Sequence, residues 1–464
     1  MRHPVSILVL TCVPLLASGA CHRGAPLEHP PDGGGAGSGG ATPAGAGGTG
    51  NEGNGGATGS GGDRGAGGAT GFGGSSGTGG VAGGSGGSAS GGVSGQSGAT
   101  DAGAERTDGG SVSRVISLAA PMTFASPSPQ VVTLADLDKD GKLDAATASF
   151  DGHVSVLLGN GNGTFQPQKS YACSGQTAGV GIVAADFDND GNPDLAVSQS
   201  RFGFGALLGK GDGTFQNAGL GLSGTTEGGI AAADFNNDGK MDVMMAFQSA
   251  AGVYVTFGNG DGSFQQSPPV YSASPNISGG LVLIDFNSDG RLDIVTAGGG
   301  FVSVSLGKAD GTFLDRANFP VGSGTIIRSV AVGDLDGDGV LDAVAPDSSG
   351  VTVNVFRGKG DGTLLPATQV PCGNDPADVK IVDLNLDGKA DIIATNDSGP
   401  GNTGTVAVLP GKGDGTFEPF LTFMTGGQGP HSVAVGDLDA DGLPDLVVAN
   451  KDGANIGVVM NNSH

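Results

Sequence analysis

The chain of 464 residues contains no Trp, three Tyr, four Cys and six His. Each scarcity excludes something. With Tyr only at 171, 254 and 271, stacking platforms for sugar rings or nucleobases are few. Lys and Arg number 21 against 46 Asp and Glu, for a net charge of −25. No basic stripe is present to meet phosphates, which argues against nucleic-acid binding. Beyond residue 113 the histidines are His153, His431 and the terminal His464. No nucleophile-and-base spacing surrounds them, so the chain reads as non-enzymatic, and His431 beside Pro430 reads as structural. Cys12 and Cys21 lie at the start of the chain, leaving Cys173 and Cys372 in its later part. These two occupy similar places in repeats four units apart, so two unpaired thiols are expected. Residues 5–17 form an apolar run too short to span a bilayer as a helix.

That run belongs to what reads as an export signal over residues 1–20. Arg2 precedes it, and Ser18, Gly19 and Ala20 follow it before Cys21. The arrangement resembles a bacterial lipoprotein signal, in which Cys21 would be acylated and become the new N-terminus. Ser18 stands where such signals usually carry an aliphatic residue, and simple cleavage after Ala20 is the alternative. The expected location is the outer membrane or cell surface, or else the medium, with membrane contact only through a lipid anchor.

Glycine is abundant, at 94 residues, and 36 of them fall within residues 31–110 among Ser, Ala and Thr. So little apolar surface cannot offset the entropy of ordering. Residues 21–113 are therefore expected to be a disordered tether, with a root-mean-square reach on the order of 50 Å. Residues 114–464 remain as the folded domain.

One loop recurs there seven times. The first copy reads Asp136, Leu137, Asp138, Lys139, Asp140, Gly141, Lys142, Leu143, Asp144. Later copies begin at Asp186, Asp234, Asp285, Asp334, Asp383 and Asp437, at intervals of 50, 48, 51, 49, 49 and 54 residues. Position 5 is Asp140, Asp190, Asp238, Asp289, Asp338, Asp387 and Asp441. Position 9 is Asp144, Asp194, Asp242, Asp293, Asp342, Asp391 and Asp445. Position 3 alternates in kind, as Asp138, Asp188, Asn236, Asn287, Asp336, Asn385 and Asp439. Position 6 is always Gly and position 2 always Leu or Phe. Twenty-five acidic side chains thus sit at fixed positions, and this periodicity excludes mere solubility as their purpose.

Each loop follows a short apolar run (131–135, 181–185, 230–233, 281–284, 330–333, 379–382, 433–436), suited to a strand buried on both faces. A second short strand follows the loop, as at 144–149 and 391–395. A third shows period-two alternation, as at 154–158, 253–257, 302–306 and 351–356. A Gly-rich turn then closes the third strand at 159–165, 209–215, 258–264, 307–313, 358–364 and 411–417, and its terminal Phe or Leu is expected to start a fourth strand. Four antiparallel strands per repeat predict an all-β, seven-bladed β-propeller behind a disordered Gly-rich linker. The last repeat lacks its turn and fourth strand, and residues 115–126 have no blade of their own. Counting predicts that this segment supplies the missing outer strand of the last blade.

Carboxylates at positions 1, 3, 5 and 9 bring hard oxygen ligands to one point if the chain curls around it. The backbone carbonyl of position 7 (Lys142, Asn192, Lys240, Arg291, Val340, Lys389, Leu443) can add another. Oxygen-only ligation selects calcium over zinc or copper, and magnesium prefers fewer carboxylates. Up to seven Ca²⁺ are expected, which would bring the net charge from −25 to −11. An EF-hand would need Glu at position 12, where Thr147, Val197 and Met245 stand in the first three copies. Apolar positions 2 and 8 are expected to anchor the loop.

The spacing Asp-x-Asp/Asn-x-Asp-Gly-x-x-Asp between strands, with a Gly-x-Gly-Asp-Gly-Thr-Phe turn, resembles the FG-GAP and VCBS repeat family, whose relatives include integrin α-subunit head propellers. The resemblance covers roughly residues 115–464. It implies that the loop joins strands 1 and 2 of a blade and binds calcium. The Lys-Gly-Asp triplets at 210–212, 359–361 and 412–414 lie inside the Gly-rich turn, which accounts for them. In this strand order the loops and Gly-rich turns share one face, while the varied turns at 199–205, 297–300, 322–328, 373–377, 396–404 and 425–431 make the other. An extracellular protein or glycan is expected on that varied face. The leading expectation is a monomeric, surface-tethered binding or adhesion module. The alternative is a carbohydrate-binding lectin or a non-catalytic subunit of a polysaccharide-processing system.

Overall fold

A computed structural model describes residues 114–464, apart from 174–177, 201–202, 223–227, 248–251, 266–268, 273–278, 310, 323–324 and 398–402. The expected signal peptide, Cys21 and the tether lie outside the described residues, as do parts of the varied turns.

The described chain is a seven-bladed propeller without helices among the described residues. After β1 (Met122–Ala125), blade 1 comprises β2 (Pro129–Ala135), β3 (Asp144–Ser149), β4 (His153–Leu157) and β5 (Lys169–Ala172), paired antiparallel in that order. β3 is buried along its whole length, whereas β5 is exposed at the rim except for the half-buried Tyr171. The same plan repeats, with innermost strands Gly179–Ala185, Ile230–Ala233, Leu281–Ile284, Ala331–Gly333, Pro376–Val382 and Pro430–Gly436.

The core is distributed between blades. Seven apolar layers each join side chains of adjacent sheets, as where Ala146, Val154 and Val156 of blade 1 meet Ile182, Leu195 and Leu207 of blade 2. The layer between the last and first blades sets Val447, Ile456 and Val458 against Val132, Leu134 and Leu157. Facing sheets this close to an axis leave little room, which suits the Val, Ala and Gly of the inner strands.

Ring closure follows the counting argument. β1 pairs antiparallel with Asn455–Val459, Met122 opposite Val458, and becomes the outer strand of blade 7. Leu118 bridges Asn461, and the Val115 N–H donates to the His464 carbonyl at 2.9 Å. Joining the two ends of the domain in one sheet leaves no open blade edge between them.

One expectation needs correction. The terminal Phe or Leu of the Gly-rich turn generally does not start the fourth strand. In blades 1, 4, 5 and 6 it forms an isolated bridge (Gly159 with Phe165, Gly307 with Phe313, Gly358 with Leu364, Gly411 with Phe417). The outer strand begins a few residues later, at Lys169, Ala317, Thr368 and Leu421. In blades 2 and 3 a strand does start at this residue, at Phe215 and, for two residues, at Phe264. The side chain of this residue packs into the blade, where Phe165, Phe215 and Leu364 are buried, and in blades 1, 4, 5 and 6 the next N–H returns to the residue before the turn, as Gln166 to the Leu158 carbonyl at 2.8 Å. Cys173 and Cys372 are both buried and are not joined by a disulfide.

Candidate metal centres

Each Asp-rich loop links the innermost strand of a blade to the second. Its position-2 side chain is the anchor: Leu137, Phe187, Phe286, Leu335, Leu384 and Leu438 are buried, and Phe235 is partly so. Position 8 is only half-buried in the first six loops, and Pro444 in the seventh is buried.

The backbone then wraps around the carboxylates. The position-6 Gly N–H donates to Oδ2 of position 1 in all seven loops, at 2.8–3.0 Å. The position-5 N–H donates to Oδ1 of position 3 at 3.0–3.3 Å, whether that residue is Asp or Asn. The position-9 carboxylate is held by two backbone donors. One is the position-2 N–H at 2.7–3.1 Å. The other is the first residue of the Gly-rich turn, or Asn461 in blade 7, at 2.7–2.8 Å. That first Gly is required by close approach: a Cβ on Gly159 would lie 2.1 Å from the Leu143 carbonyl oxygen.

Positions 1, 3 and 9 therefore converge. In blades 1, 2, 5 and 7 their carboxylate oxygens lie within 4.8 Å of one another, as for Asp136, Asp138 and Asp144. Asn236, Asn287 and Asn385 place an amide oxygen in the same hydrogen bond, so blades 3, 4 and 6 offer two carboxylates and a neutral oxygen. These donor sets are all-oxygen and can hold a hard cation.

Position 5 is not one of the carboxylates within 4.8 Å of one another in blades 1, 2, 5 and 7, although in blades 3 and 4 it accepts from the position-3 amide, Asn236 Nδ2 at 3.1 Å and Asn287 Nδ2 at 2.9 Å. Its carboxylate accepts the position-7 N–H at 2.8–3.1 Å. It also meets the position-7 side chain, as Lys142 Nζ meets Asp140 Oδ2 at 2.6 Å and Lys389 Nζ meets Asp387 Oδ2 at 3.5 Å. Lys240 and Asp238 form a similar pair at 3.8 Å, and Arg291 pairs with Asp289. Asn192 Nδ2 donates to Asp190 Oδ2 at 2.8 Å. Position 7 thus has a side-chain role that sequence reasoning, which weighed only its carbonyl, missed.

A second missed feature is backbone strain at position 4. Lys139, Asn189, Asn237, Ser288, Leu386 and Ala440 all take left-handed φ, between 54° and 63°. For residues with a Cβ this costs roughly 1–2 kcal/mol each. No residue-type signal marks the position, because the carboxylate hydrogen bonds on either side impose the conformation.

Electrostatics marks the clusters as short of positive charge. Burial pushes the position-9 carboxyls up, against the lowering effect of their two N–H donors: to about 6 for Asp144, Asp242 and Asp445, and to about 7 for Asp194 and Asp391. Asp293 and Asp342 shift the same way for the same reason. Neighbouring loop carboxylates add to the rise.

The loops also join blade to blade. The Gly-rich turn of one blade donates to the position-2 carbonyl of the preceding loop: Gly163 to Leu438 at 3.3 Å, Gly262 to Phe187 at 3.2 Å, Gly415 to Leu335 at 3.2 Å. Blade 7, lacking that turn, uses Asn461 Nδ2 on the Leu384 carbonyl at 2.7 Å. Within the turns, Asp212, Asp361 and Asp414 accept from the backbone and hydroxyl of the following Thr, which gives the Lys-Gly-Asp triplets a local structural role.

A cavity of 280 Å³ opens on this same face between blades 3 and 4, lined by Phe235, Asn236, Asn237, Val255, Phe257 and Phe313 among others. Its origin is local. A turn Gly normally abuts the side chain before the preceding blade's turn, as Gly213 abuts Leu158, Gly262 abuts Leu208 and Gly362 abuts Leu306. Gly311 has only the Phe235 carbonyl oxygen within reach. The bulkier Phe257 does not fill the space a Leu fills elsewhere.

A family model described as FG-GAP-like repeat matches residues 136–197, 234–296, 285–345 and 383–448, together more than half of the chain. No curated protein matches. Among solved structures, one describing specific recognition of non-reducing terminal N-acetylglucosamine by an Agrocybe aegerita lectin is 24% identical, covering 70% of this chain and 87% of that one, with a TM-score of 0.46. A complex of BBS1N with ARL6DN, soaked with mercury, is 12% identical over 74% of this chain and 96% of that one, with a TM-score of 0.50. A streptogramin B lyase is 12% identical over 75% and 98%, with a TM-score of 0.49. At such identities the likeness is one of fold.

Proposed function

The chain belongs to the FG-GAP-like repeat family, and from that premise we propose that it is an exported, surface-tethered β-propeller whose loops bind calcium and whose opposite face is a binding or adhesion module. One observation carries the calcium reading: oxygen donors of positions 1, 3 and 9 are gathered on the same backbone frame in blade after blade. Asp136, Asp138 and Asp144, and their counterparts, would supply the carboxylates, and the position-7 carbonyl a further oxygen. Calcium neutralises the cluster and fixes the loop on which the next blade docks.

Extracellular calcium modules bind at about 10⁻⁴ to 10⁻³ M. At about 1 mM calcium each site contributes roughly 0.4 to 1.4 kcal/mol, and several sites together approach the stability of a domain. The metal is therefore structural, the protein is a non-catalytic monomer, and its partner is an extracellular protein or glycan. Exposed Phe150, Ile326 and Val351 on turns of the opposite face support recognition there. The export signal and the Gly-rich tether support display at the surface, through a lipid on Cys21 or by secretion. The test is thermal melting of the mature chain in calcium and in chelator. An unchanged melting temperature sinks the calcium reading.

Glycan recognition is favoured by one feature, the cavity where Phe235, Phe257 and Phe313 offer apolar rings beside Asn236 and Asn237. Saturable binding on a glycan array in calcium, lost on Phe235→Ala, supports it. A blank array removes it.

A further inference from the structure

Loop 5 differs from the others in what reaches it. The residue before the Gly-rich turn is Leu158, Leu208, Phe257, Leu306 or Pro410 in the other blades that have the turn, Met460 precedes Asn461 in blade 7, and blade 5 has Arg357. The Arg357 guanidinium lies against Gly415 of blade 6, where Leu158 abuts Gly213 of blade 2. It also faces back into its own loop. The guanidinium pairs with Asp336, at position 3, and Nε lies 3.6 Å from Asp342 Oδ2, at position 9. Nη1 donates to the Asp414 carbonyl of blade 6 at 3.0 Å. Asp336 and Asp342 belong with Asp334 to the converging cluster of this loop.

Among the described residues no other Lys or Arg pairs with a carboxylate of positions 1, 3 or 9. The loop cations Lys142, Lys240, Arg291 and Lys389 all pair with position 5, outside the clusters. Loop 5 has Val340 at position 7 and no such cation of its own.

We infer that the Arg357 guanidinium is the resident cation of loop 5, so this blade is locked to blade 6 without calcium while the other loops take the ion. The inference rests on the calcium reading for those other loops. A guanidinium is permanently charged and presents several N–H donors, so one group can face two carboxylates and still bond a carbonyl across the blade interface. A calcium ion in loop 5 would have to displace it.

The experiment counts calcium per chain by equilibrium dialysis and elemental analysis in the wild type and in Arg357→Leu, the side chain that blades 1, 2 and 4 carry. The expected result is one more bound ion in the variant, with calcium restoring a melting temperature that chelator lowers further than in the wild type. Equal counts in the two proteins overturn the inference. If neither binds calcium, the calcium reading itself fails, and a cycle in chelator decides the role of Arg357. Arg357→Leu should then lower the melting temperature in the wild type but not in an Asp336→Asn background. Additive losses overturn it.

Discussion

Asp144 in the first loop and Asp378 on the innermost strand of blade 6 are both buried aspartates, yet their carboxyls move in opposite directions. Burial pushes both up. At Asp378 it is outweighed by the Lys380 ammonium at 3.0 Å, the Ser329 hydroxyl at 2.6 Å and the Val433 N–H at 3.0 Å. Ser329 belongs to blade 5 and Val433 to blade 7, so this one carboxylate ties three neighbouring blades together near the axis. At Asp144 there are N–H donors and further carboxylates, while the loop's own cation, Lys142, pairs with Asp140 instead. The contrast teaches that the interior of this propeller tolerates a carboxylate where a paired charge is supplied with it, and that the position-9 carboxylates of loops 1 to 4, 6 and 7 are built without one. Arg357 is the intermediate case, a cation that reaches its loop's position-9 carboxylate.

The largest test of this contrast removes the supplied ion. At pH 7.5, chelator should lower the melting temperature by roughly 3–12 °C, given about six sites of roughly 0.4 to 1.4 kcal/mol each and about 1.4 °C per kcal/mol for a domain of about 350 residues. The Asp378 junction should be indifferent to chelator. Asp378→Ala leaves Lys380 and the Val433 N–H without their partner and should cost roughly 2–4 kcal/mol. Urea unfolding should give the same loss with and without calcium, and a calcium-dependent loss would break the distinction.

The pH dependence should separate the two regions by sign. In chelator, a position-9 carboxyl has a folded value of about 6 to 7 against an ordinary 3.8. From about pH 4 to pH 7 the folded state then holds more protons than the unfolded one, and its stability falls as pH rises. Asp378, shifted down, contributes stability that is present above the unfolded value and lost only in stronger acid. With calcium the loop slope should invert over the same window, because the ion binds the ionised form. Melting curves across pH 4–8 in both conditions check this, and parallel curves would refute it.

The smallest effect compares two residues of one loop. Asp144→Asn removes the buried carboxylate and should abolish binding at loop 1, costing about 1–3 kcal/mol in calcium. Asp138→Asn gives loop 1 the donor set of loops 3, 4 and 6 and should cost under about 1 kcal/mol. Titration of each variant reads the difference, and equal losses would mean that position 3 matters as much as position 9.

Much of this was legible before the fold was known, for reasons of distance along the chain. The ligand positions lie within nine residues, so the loop could be read as a unit. The strand runs beside it could be placed because the Val, Ala and Gly that suit a crowded axis are written into them. Closure by residues 115–126 followed from a count of strands. What escaped was set by neighbours in space. The left-handed position 4 follows from hydrogen bonds around it, and Lys, Asn, Ser, Leu and Ala all adopt it. The late start of the outer strand has no signal in the turn's residue types, since Phe215 and Phe264 start a strand where Phe165 does not.

The sequence by itself determined the seven loops, the blade count and the oxygen chemistry, because each is encoded locally and repeated. Tertiary structure alone decided which carboxylates meet and which charges come with them. The position-5 carboxylate accepts the position-7 N–H in every loop, and in four loops it also meets a position-7 cation. Asp378 finds Ser329 and Val433 at separations of 49 and 55 residues, and Arg357 finds Asp414 at 57. Those separations are close to one repeat, so the partners become neighbours only when one blade is laid against the next.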